Sequence, residues 1–226
     1  RAQAPDRSPR MATRVILVRH GETDWNAEGR IQGHLPVPLN ERGRAQAEAV
    51  GARLEPVPFA ALYSSDLLRA RQTAEAIGRA SGQRVRDDRR LREWDLGILS
   101  GLMRSVAEEL HPEAFGIFRK RLLDEPVPGG ESIRTRYERV TAAVQEIADR
   151  HPGETVVAVS HGGPLGDCYR RAVGAPMGSQ MRIDLFNAGV SVLRVMGEDW
   201  HLESWGAVDH LEAIGTLANW EGRTIR

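Results

Sequence analysis

The sequence predicts an α/β fold, a three-layer α/β/α sandwich built on a mostly parallel central sheet. Two short apolar runs, residues 15–18 and 155–160, have the length and composition of strands that are buried on both faces. The segments around them alternate weaker strand patterns with amphipathic helical patterns, as in sheets that helices cover on both faces. With 226 residues, of which 41% are hydrophobic, the chain is long enough for one domain with a substantial core.

The composition excludes several classes of protein. A formal net charge of +0 gives no long-range field for nucleic acid or an anionic membrane, and no apolar run approaches the roughly 20 residues of a membrane span. Residues 1–10 lack the apolar stretch of a signal peptide. The one cysteine, Cys168, fits a reducing compartment, so we expect a cytoplasmic protein. We expect residues 1–12 to be a disordered extension or a cloning remnant, and residues 13–226 to form a single domain.

The first strand, residues 15–18, runs directly into Arg19, His20 and Gly21. Ligands bind at the carboxyl ends of the strands in open α/β sheets, so this edge is the expected site. Taken alone, an arginine and a histidine after a strand are more often an ordinary surface pair. The functional interpretation therefore depends on matching pieces further along the chain.

A loop, a helix and a short strand come next. Residues 28–38 contain two glycines and two prolines, which predict an irregular loop over the end of the first strand. Asn40 is a suitable N-cap for the following helix. The predicted apolar face of that helix consists of Ala45, Ala49, Val50 and Leu54. Residues 60–63 then form a predicted short strand.

A second helix follows, with Ser65 or Asp66 as its expected N-cap and Arg69 in its first turns. A helix N-terminus directed at the same sheet edge favours an anion, so Arg69 is a candidate phosphate ligand. Arg71 lies two residues further on and faces elsewhere, which favours solvent or a salt bridge. Residues 83–85 give a weak edge-strand pattern.

The middle of the chain is predicted to be helical. Residues 105–123 have a helical pattern interrupted by a His-Pro pair, and they include a basic cluster at 119–121. This cluster could bind a substrate carboxylate, although charged helix faces are usually only solvated. Ser132 is the expected start of a long helix over residues 133–151.

The second apolar strand also ends in a histidine, His161, which Gly162 and Gly163 follow. If the two apolar strands are parallel neighbours, about 4.8 Å apart, both imidazoles reach one space of phosphoryl size. Pro164 is the expected first residue of another helix. Closing strands are predicted over residues 182–186, 189–195 and 200–203. Residues 207–226 either cover the site or fray.

The motifs taken together resemble one known family. The stretch LVRHGET at 17–23, continued by Asp-Trp-Asn at 24–26 and Arg-Ile-Gln-Gly at 30–33, is similar to the histidine phosphatase superfamily. The resembling branch contains cofactor-dependent phosphoglycerate mutases and small-molecule phosphatases. The similarity extends from about residue 13 to about residue 205 in the expected order, and it implies the phosphoglycerate mutase-like fold.

This resemblance implies a metal-independent phosphomonoesterase acting on a small phosphorylated metabolite. His20 is implied to attack phosphorus and form a phosphohistidine, and Glu93, at the family's acidic position, to donate a proton to the leaving oxygen. Arg19, Arg69 and His161, the last as an imidazolium, are implied to hold the phosphoryl oxygens. The implied substrate-binding residues are Arg19, Asn26, Gln32, Gly33, Arg69, Glu93, His161 and Gly162, and Asn187 matches a secondary family position.

Two alternatives stay open at this point. The spacing within residues 93–102 is closer to the mutases, which would require 2,3-bisphosphoglycerate, whereas the short insert before residues 128–132 favours a phosphatase. A non-catalytic module that binds phosphorylated ligands is the third interpretation, but the set of five catalytic residues is complete. The remaining histidines show no metal-ligand spacing, so no metal is expected. The chain is expected to be a monomer or a homodimer, without a nucleic-acid or membrane partner.

Overall fold

A computed structural model describes residues 11–179, 181–217 and 224–225. The strands are β1 Thr13–Arg19, β2 Ala61–Ser64, β3 Val85–Asp87, β4 Thr155–Ser160, β5 Val190–Met196, β6 Asp199–Ala207, β7 Thr216–Leu217 and β8 Thr224–Ile225. The α-helices are α1 Asp24–Glu28, α2 Glu41–Leu54, α3 Leu68–Ser81, α4 Arg104–Leu110, α5 Pro112–Lys120, α6 Ile133–Asp149 and α7 Gly162–Ala172. Short 3-10 helices span Arg89–Leu91, Gly97–Leu99 and Asp209–Leu211.

Six strands form the central sheet in the order β3-β2-β4-β1-β5-β6. Strands β1 to β4 are mutually parallel, whereas β5 runs antiparallel to β1 and β6 antiparallel to β5. Strands β7 and β8 form a separate antiparallel pair. The predicted α/β sandwich with a mostly parallel sheet is confirmed.

Strand β1 lies inside the sheet, and its side chains alternate between two cores as the period of a strand requires. Val15 and Leu17 belong to the core that α6 and α7 cover. Ile16 and Val18 belong to the core that α2 and α3 cover on the other face. All four side chains are at most 2% exposed, which explains the uninterrupted apolar run in the sequence.

The register of the sheet brings the two histidines together. Arg19 pairs with Ser160 across the parallel β1–β4 ladder, so His20 and His161 leave neighbouring strands at the same level. Helix α7 begins directly after His161, and its first turn therefore faces the same edge.

Two helix starts agree with the sequence, whereas α7 begins at Gly162 and not at the predicted Pro164. Asn40 Oδ1 accepts a hydrogen bond from the Gly43 N–H at the start of α2, and Ser132 Oγ accepts one from the Thr135 N–H at the start of α6. Asn40 is the predicted N-cap and Ser132 the predicted start of its helix, and both satisfy backbone donors that the helices leave unpaired.

Other details of the prediction were wrong. Ala45 is exposed, because the buried face of α2 runs through Gly43, Ala47, Val50 and Leu54 at helical spacing. Helix α3 begins at Leu68 with Leu67 at its N-cap position. Neither predicted cap serves there, since the Asp66 carboxylate binds the Arg92 guanidinium and Ser65 Oγ lies 2.8 Å from His161 Nε2.

Further differences concern short elements. Strand β3 is Val85–Asp87 instead of 83–85, and residues 182–186 form no strand of the sheet. Helix α1 was not predicted, because it has only five residues and none of them is buried.

The predicted N-terminal extension and the C-terminal tail are described only in part. Residues 1–10 of the expected extension, and residues 218–223 and 226 of the tail, lie outside the described residues. Over the described part of the tail, Thr216 Oγ1 donates to Asn187 O and His210 Nε2 lies 2.9 Å from Ala188 O. Across the described part of the chain, no helix has the length and hydropathy needed to span a bilayer.

Candidate active site

His20 follows β1 and is 2% exposed. Its Nδ1 lies 2.7 Å from the carbonyl oxygen of Gly21. A carbonyl oxygen only accepts hydrogen bonds, so Nδ1 carries the proton and the lone pair of the neutral ring is on Nε2. The Gly21 backbone is itself fixed, since its N–H donates to Thr73 Oγ1 on α3. The chain thus holds the His20 ring in a set orientation, with the lone pair on Nε2.

His161 lies next to this ring, with the two ring centroids 5.1 Å apart. Its side chain is fully buried, and its Nε2 lies 2.8 Å from the hydroxyl of Ser65 at the end of β2. Its Nδ1 is buried without a hydrogen-bond partner among the described residues. Three neighbouring parallel strands, β2, β4 and β1, therefore deliver Ser65, His161 and His20 to one place.

Arg19 and Arg69 supply positive charge beside the two imidazoles. Arg19 is 3% exposed and donates from Nη1 to Leu185 O, while Arg69 is fully buried and donates to Gly33 O and Leu35 O. The Nε of each guanidinium is buried without a partner among the described residues. Each arginine is thus oriented by backbone carbonyls and keeps donor capacity for an anion.

The charges of this group are strongly perturbed. Burial lowers the pKa of Arg19 and of Arg69 to about 10, and both stay protonated near neutral pH. Burial, reinforced by the neighbouring Arg69, holds the pKa of His20 and that of His161 well below the usual 6.5. The lowered pKa of His161 favours the neutral ring, and the imidazolium expected with a bound phosphoryl group stays a prediction.

Glu93 completes the group from the segment after the first 3-10 helix. Its Oε1 accepts hydrogen bonds from the N–H of Trp94 and of Gly163, at 2.8 and 3.2 Å. The backbone beneath it is also held, because the Arg139 guanidinium donates to the carbonyl of Glu93. Its negative charge acts on both Arg19 and Arg69 and offsets part of the lowering of their pKa by burial, which places the carboxylate near both guanidinium groups.

The remaining predicted substrate-binding residues lie around this group. Asn26 Oδ1 accepts a hydrogen bond from the Asn187 side chain, whose Nδ2 also donates to His20 O. Gln32 has a buried Oε1 without a partner among the described residues. Gly33 supplies the carbonyl that Arg69 binds, and Gly162 is the first residue of α7 and buried.

Sequence reasoning missed several residues that shape the site. Gly163 contributes the N–H that Glu93 binds, and a Cβ built there would overlap Glu93 Oε1. Ser65 was considered only as a helix cap. Arg139 supports Glu93 from α6, and it also binds Glu131. The His-Gly-Gly motif at 161–163 could have indicated Gly163. No pattern in the sequence links Arg139 to Glu93, which lies 46 positions away.

The described residues contain no cluster of side chains that could bind a metal ion. Across residues 11–179, 181–217 and 224–225, no three His, Cys, Asp or Glu side chains come close enough to hold an ion together. Cys168 is buried, and burial raises the pKa of its thiol. Its side chain is part of the core and takes no part in the site.

A family profile described as "Histidine phosphatase superfamily (branch 1)" matches residues 15–208. Phosphoglycerate mutase-like protein 4 of Arabidopsis thaliana is 44% identical over 207 residues, which cover 90% of this chain and 89% of the relative. The metal-independent phosphoserine phosphatase of the same plant is 41% identical, covering 91% of this chain and 86% of the relative.

The structural comparison agrees. The solved structure of Bacillus stearothermophilus YhfR superposes with a TM-score of 0.80 and 36% identity, over 89% of this chain and 100% of the other. The chain belongs to the histidine phosphatase superfamily, branch 1. It is an enzyme of the histidine-phosphatase type, a phosphomonoesterase.

Proposed function

We propose that this phosphomonoesterase works through a phosphohistidine on His20 and needs no metal. The observation that supports the proposal best is the fixed His20 ring, whose Nδ1 is bound to Gly21 O while two buried guanidinium groups flank the ring. A nucleophile that is neutral near pH 7, next to fixed positive charge, suits attack on a phosphate ester.

The first step transfers the phosphoryl group to the protein. The lone pair on His20 Nε2 attacks phosphorus while the bond from phosphorus to the ester oxygen breaks. That oxygen takes a proton from Glu93, which enters this step as the carboxylic acid. The alcohol then leaves and Glu93 is a carboxylate.

The second step releases inorganic phosphate. Glu93 takes a proton from water, the water oxygen attacks phosphorus, and the bond to His20 Nε2 breaks. Arg19 and Arg69 bind the equatorial oxygens throughout through their unused donors, and His161 contributes a hydrogen bond. The covalent intermediate accelerates hydrolysis because it divides one difficult step into two easier ones.

The proposed substrate is a small phosphomonoester. One relative acts on phosphoserine by its name, which supports this class of substrate and the lack of a metal requirement. We place the catalytic unit within a single domain at residues 13–226 and the protein in the cytoplasm, where a lone cysteine stays reduced.

A phosphoglycerate mutase is the second candidate, because the relative with 44% identity carries that family name. In a mutase the phosphohistidine would be captured by a substrate hydroxyl instead of water, with 2,3-bisphosphoglycerate needed to load the enzyme. Helices α4 and α5 are the only α-helices of the described segment 102–132, and this short insert favours the phosphatase.

Phosphorus NMR distinguishes these activities. The full chain is incubated with 3-phosphoglycerate, with and without catalytic 2,3-bisphosphoglycerate, and with a panel including phosphoserine and sugar and nucleotide phosphates. We expect inorganic phosphate without isomerisation, and no turnover by His20→Ala. Bisphosphate-dependent formation of 2-phosphoglycerate would establish the mutase, and undiminished hydrolysis by His20→Ala would refute the proposed mechanism.

A further inference from the structure

A second cluster of arginine side chains lies where the end of α5 meets α6 and α7. Arg136 on α6 binds Asp167 on α7 with two hydrogen bonds, 2.7 and 2.9 Å long. Arg170, one turn further along α7, has its Nη1 4.0 Å from Asp167 Oδ1 and donates to Gly166 O. Arg121 follows α5 and is near enough for the charges of Arg170 and Arg136 to affect it.

We call Arg121, Arg136 and Arg170 the basic junction. One end of this junction lies beside the proposed proton donor Glu93. A Cβ built on Gly163 would lie 3.2 Å from Arg136 Nη1 and would overlap Glu93 Oε1. Arg136 therefore lies close to the proposed proton donor, while Arg170 lies about two helical turns further from the start of α7.

The junction holds more positive than negative charge. Three guanidinium groups share one internal carboxylate, Asp167. Two other carboxylates act on Arg136, but Glu93 belongs to the proposed active site and Glu131 binds Arg139. Two positive charges are thus uncompensated in a largely buried region, which is unfavourable unless an anion joins them.

Unused donors lie on the segments that meet at this junction. Arg121 Nε and Nη2, Arg170 Nε and Ser179 Oγ are all buried without a hydrogen-bond partner among the described residues. Arg170 is only 4% exposed, and its Nη2 donates to Ser179 O at 3.3 Å, which joins the two residues. Leu123, two residues beyond Arg121, lies against Gly178, which brings the α5 end to the same segment.

Arg121 is in an unusual position for an arginine. It occupies the C-cap of α5 with a left-handed backbone, φ 56°, where glycine is the common residue. Burial, with repulsion from Arg170 and Arg136, also lowers the pKa of Arg121 to about 10. Backbone and charge are therefore both unfavourable for this side chain, and a bound anion would offset the charge.

We propose that Arg121, Arg170 and the hydroxyl of Ser179 form a binding site for a small oxyanion, a carboxylate or phosphate group, separate from the phosphoryl site. Guanidinium forks match the paired oxygens of these groups, and a hydroxyl can donate to a third. The oxyanion is either a second anionic group on the leaving part of the substrate or a free ion. The site itself does not depend on the proposed chemistry, since it is defined by binding.

Calorimetric titration with inorganic phosphate tests the site on the full chain. We expect Arg121→Gln to bind one phosphate ion fewer per chain than the wild type, and Arg121→Lys, which keeps the charge but loses the fork, to bind that ion at least about tenfold more weakly. Arg119→Gln is the matched control, because Arg119 lies two residues away and pairs with Glu108 on the surface. Circular dichroism confirms that each variant is folded.

Equal stoichiometry and affinity in wild type, Arg121→Gln and Arg121→Lys would overturn the proposal. This result is distinguishable from failure of the phosphatase mechanism, because phosphate binding is measured without turnover. Phosphate binding that survives in His20→Ala but is lost in Arg121→Gln would support the site even if phosphohistidine does not form.

Kinetics then identify the source of the oxyanion. If it belongs to the substrate, Arg121→Gln lowers kcat/KM at least about tenfold for phosphate esters with a second anionic group and leaves esters without one unchanged. If it is a free ion, the variant loses phosphate binding but keeps the wild-type ratio between the two classes of ester. Both outcomes require the site, and they differ only in what occupies it.

Discussion

At the scale of single residues, the chemistry depends on keeping two histidines uncharged next to two arginines. The rings of His20 and His161 are buried and lie beside Arg69, so protonation of either would place another positive charge in a region without solvent. A neutral His20 retains its nucleophilic lone pair on Nε2, because the proton is on the nitrogen that faces Gly21 O. The same charges that are proposed to bind phosphate thus keep the proposed nucleophile neutral.

Nitrogen-15 NMR of the imidazoles tests this directly. Because the pKa values of His20 and His161 lie well below 6.5 in the folded protein, we expect both rings to stay neutral as the pH falls from about 8 to about 6. In the urea-unfolded chain, both histidines should titrate near the ordinary pKa of about 6.5. Titration of either ring near 6.5 in the folded protein would contradict the electrostatic account.

The same shifts predict how stability depends on pH. Above about pH 6.5 both rings are neutral in the folded and unfolded states, so they contribute no pH dependence. As the pH falls through about 6.5 the unfolded chain takes up protons that the folded protein excludes, and the free energy of unfolding decreases. Urea unfolding of the ligand-free wild type at several pH values measures this decrease.

Gly163 is the residue on which the position of Glu93 depends most closely. Its N–H donates to the carboxylate, and a methyl group at this position would overlap Glu93 Oε1. The neighbouring Arg136 Nη1 lies 3.2 Å from that methyl position, which leaves little room for the carboxylate to move aside. The absence of a side chain is therefore part of the proton-donor arrangement.

We expect Gly163→Ala to lower kcat by about tenfold to a thousandfold, because displacement of Glu93 removes general acid catalysis. The loss should be large for alkyl phosphates and small for p-nitrophenyl phosphate, whose leaving group needs no proton. Gly116→Ala is the control, since a Cβ on that α5 glycine meets no atom within 4 Å. An equal loss for both classes of ester would show that Gly163 acts otherwise.

The sequence could predict the residues that end strands, but not those that support them. Arg19, His20 and His161 directly follow apolar runs, and that context marks them. Ser65 was misassigned because a serine before a helix normally caps it, whereas here its hydroxyl contacts His161, 96 positions away. Such a contact depends on strand order, which local patterns do not contain.

At the scale of elements, the loop between α1 and α2 is attached to the site by Arg69. The two Nη atoms of this arginine donate to Gly33 O and Leu35 O, and the loop closes further through hydrogen bonds from Leu35 N and Val37 N. A residue proposed to bind phosphate therefore also holds the loop that covers the strand ends. Phosphate binding and loop position are coupled through one side chain.

Arg69→Lys should release this loop, because a single ammonium group cannot bind both carbonyls with the geometry of a guanidinium. We expect faster hydrogen exchange at residues 33–39, measured by mass spectrometry, together with a higher KM for phosphate esters. Arg71→Lys is the control, as Arg71 forms only salt bridges to Glu75 and Asp87 among the described residues. Unchanged exchange in Arg69→Lys would show that the loop is held by its own hydrogen bonds.

Among the elements, those with strong periodicity were predictable and those fixed by side-chain contacts were not. The strands β1 and β4 and the helices α2 and α6 follow from apolar patterns and caps. The segment 182–186 reads as a strand, but its carbonyls are bound by side chains, Leu185 O by Arg19 and Asp184 O by Trp205 Nε1. Those acceptors are engaged by side chains from distant positions, and the segment forms no strand of the sheet.

At the scale of the whole molecule, two apolar cores cover the sheet, and α6 and α7 are joined by a buried ion pair. Arg136 and Asp167 are 2% and 0% exposed, and Arg136 also lies over the Trp94 ring, 4.8 Å from its centroid. An ion pair at this depth adds little net stability over apolar residues of similar size, but removal of one partner leaves the other charge buried.

Arg136→Met should therefore destabilise the protein by about 3–5 kcal/mol, since the Asp167 carboxylate would lose its two hydrogen bonds. Adding Asp167→Leu should recover part of that loss, because the carboxylate that has lost its two hydrogen bonds is removed, while Arg121 and Arg170 lose the one internal carboxylate near them. Urea denaturation of both variants and of Arg134→Met, whose salt bridge to Asp124 is exposed, measures the free energies of unfolding. Equal instability of the single and double variants would argue against a charge effect.

Rapid chemical quench with a phosphorus-32 ester shows whether the phosphoryl group passes through His20. Within the first turnover we expect label on the protein that is stable to alkali and labile to acid, as a phosphoramidate is. Peptide mapping should place it on His20, and His20→Asn should show neither label nor turnover. Turnover by the wild type without any covalent label, or full hydrolysis by His20→Asn, would contradict the account.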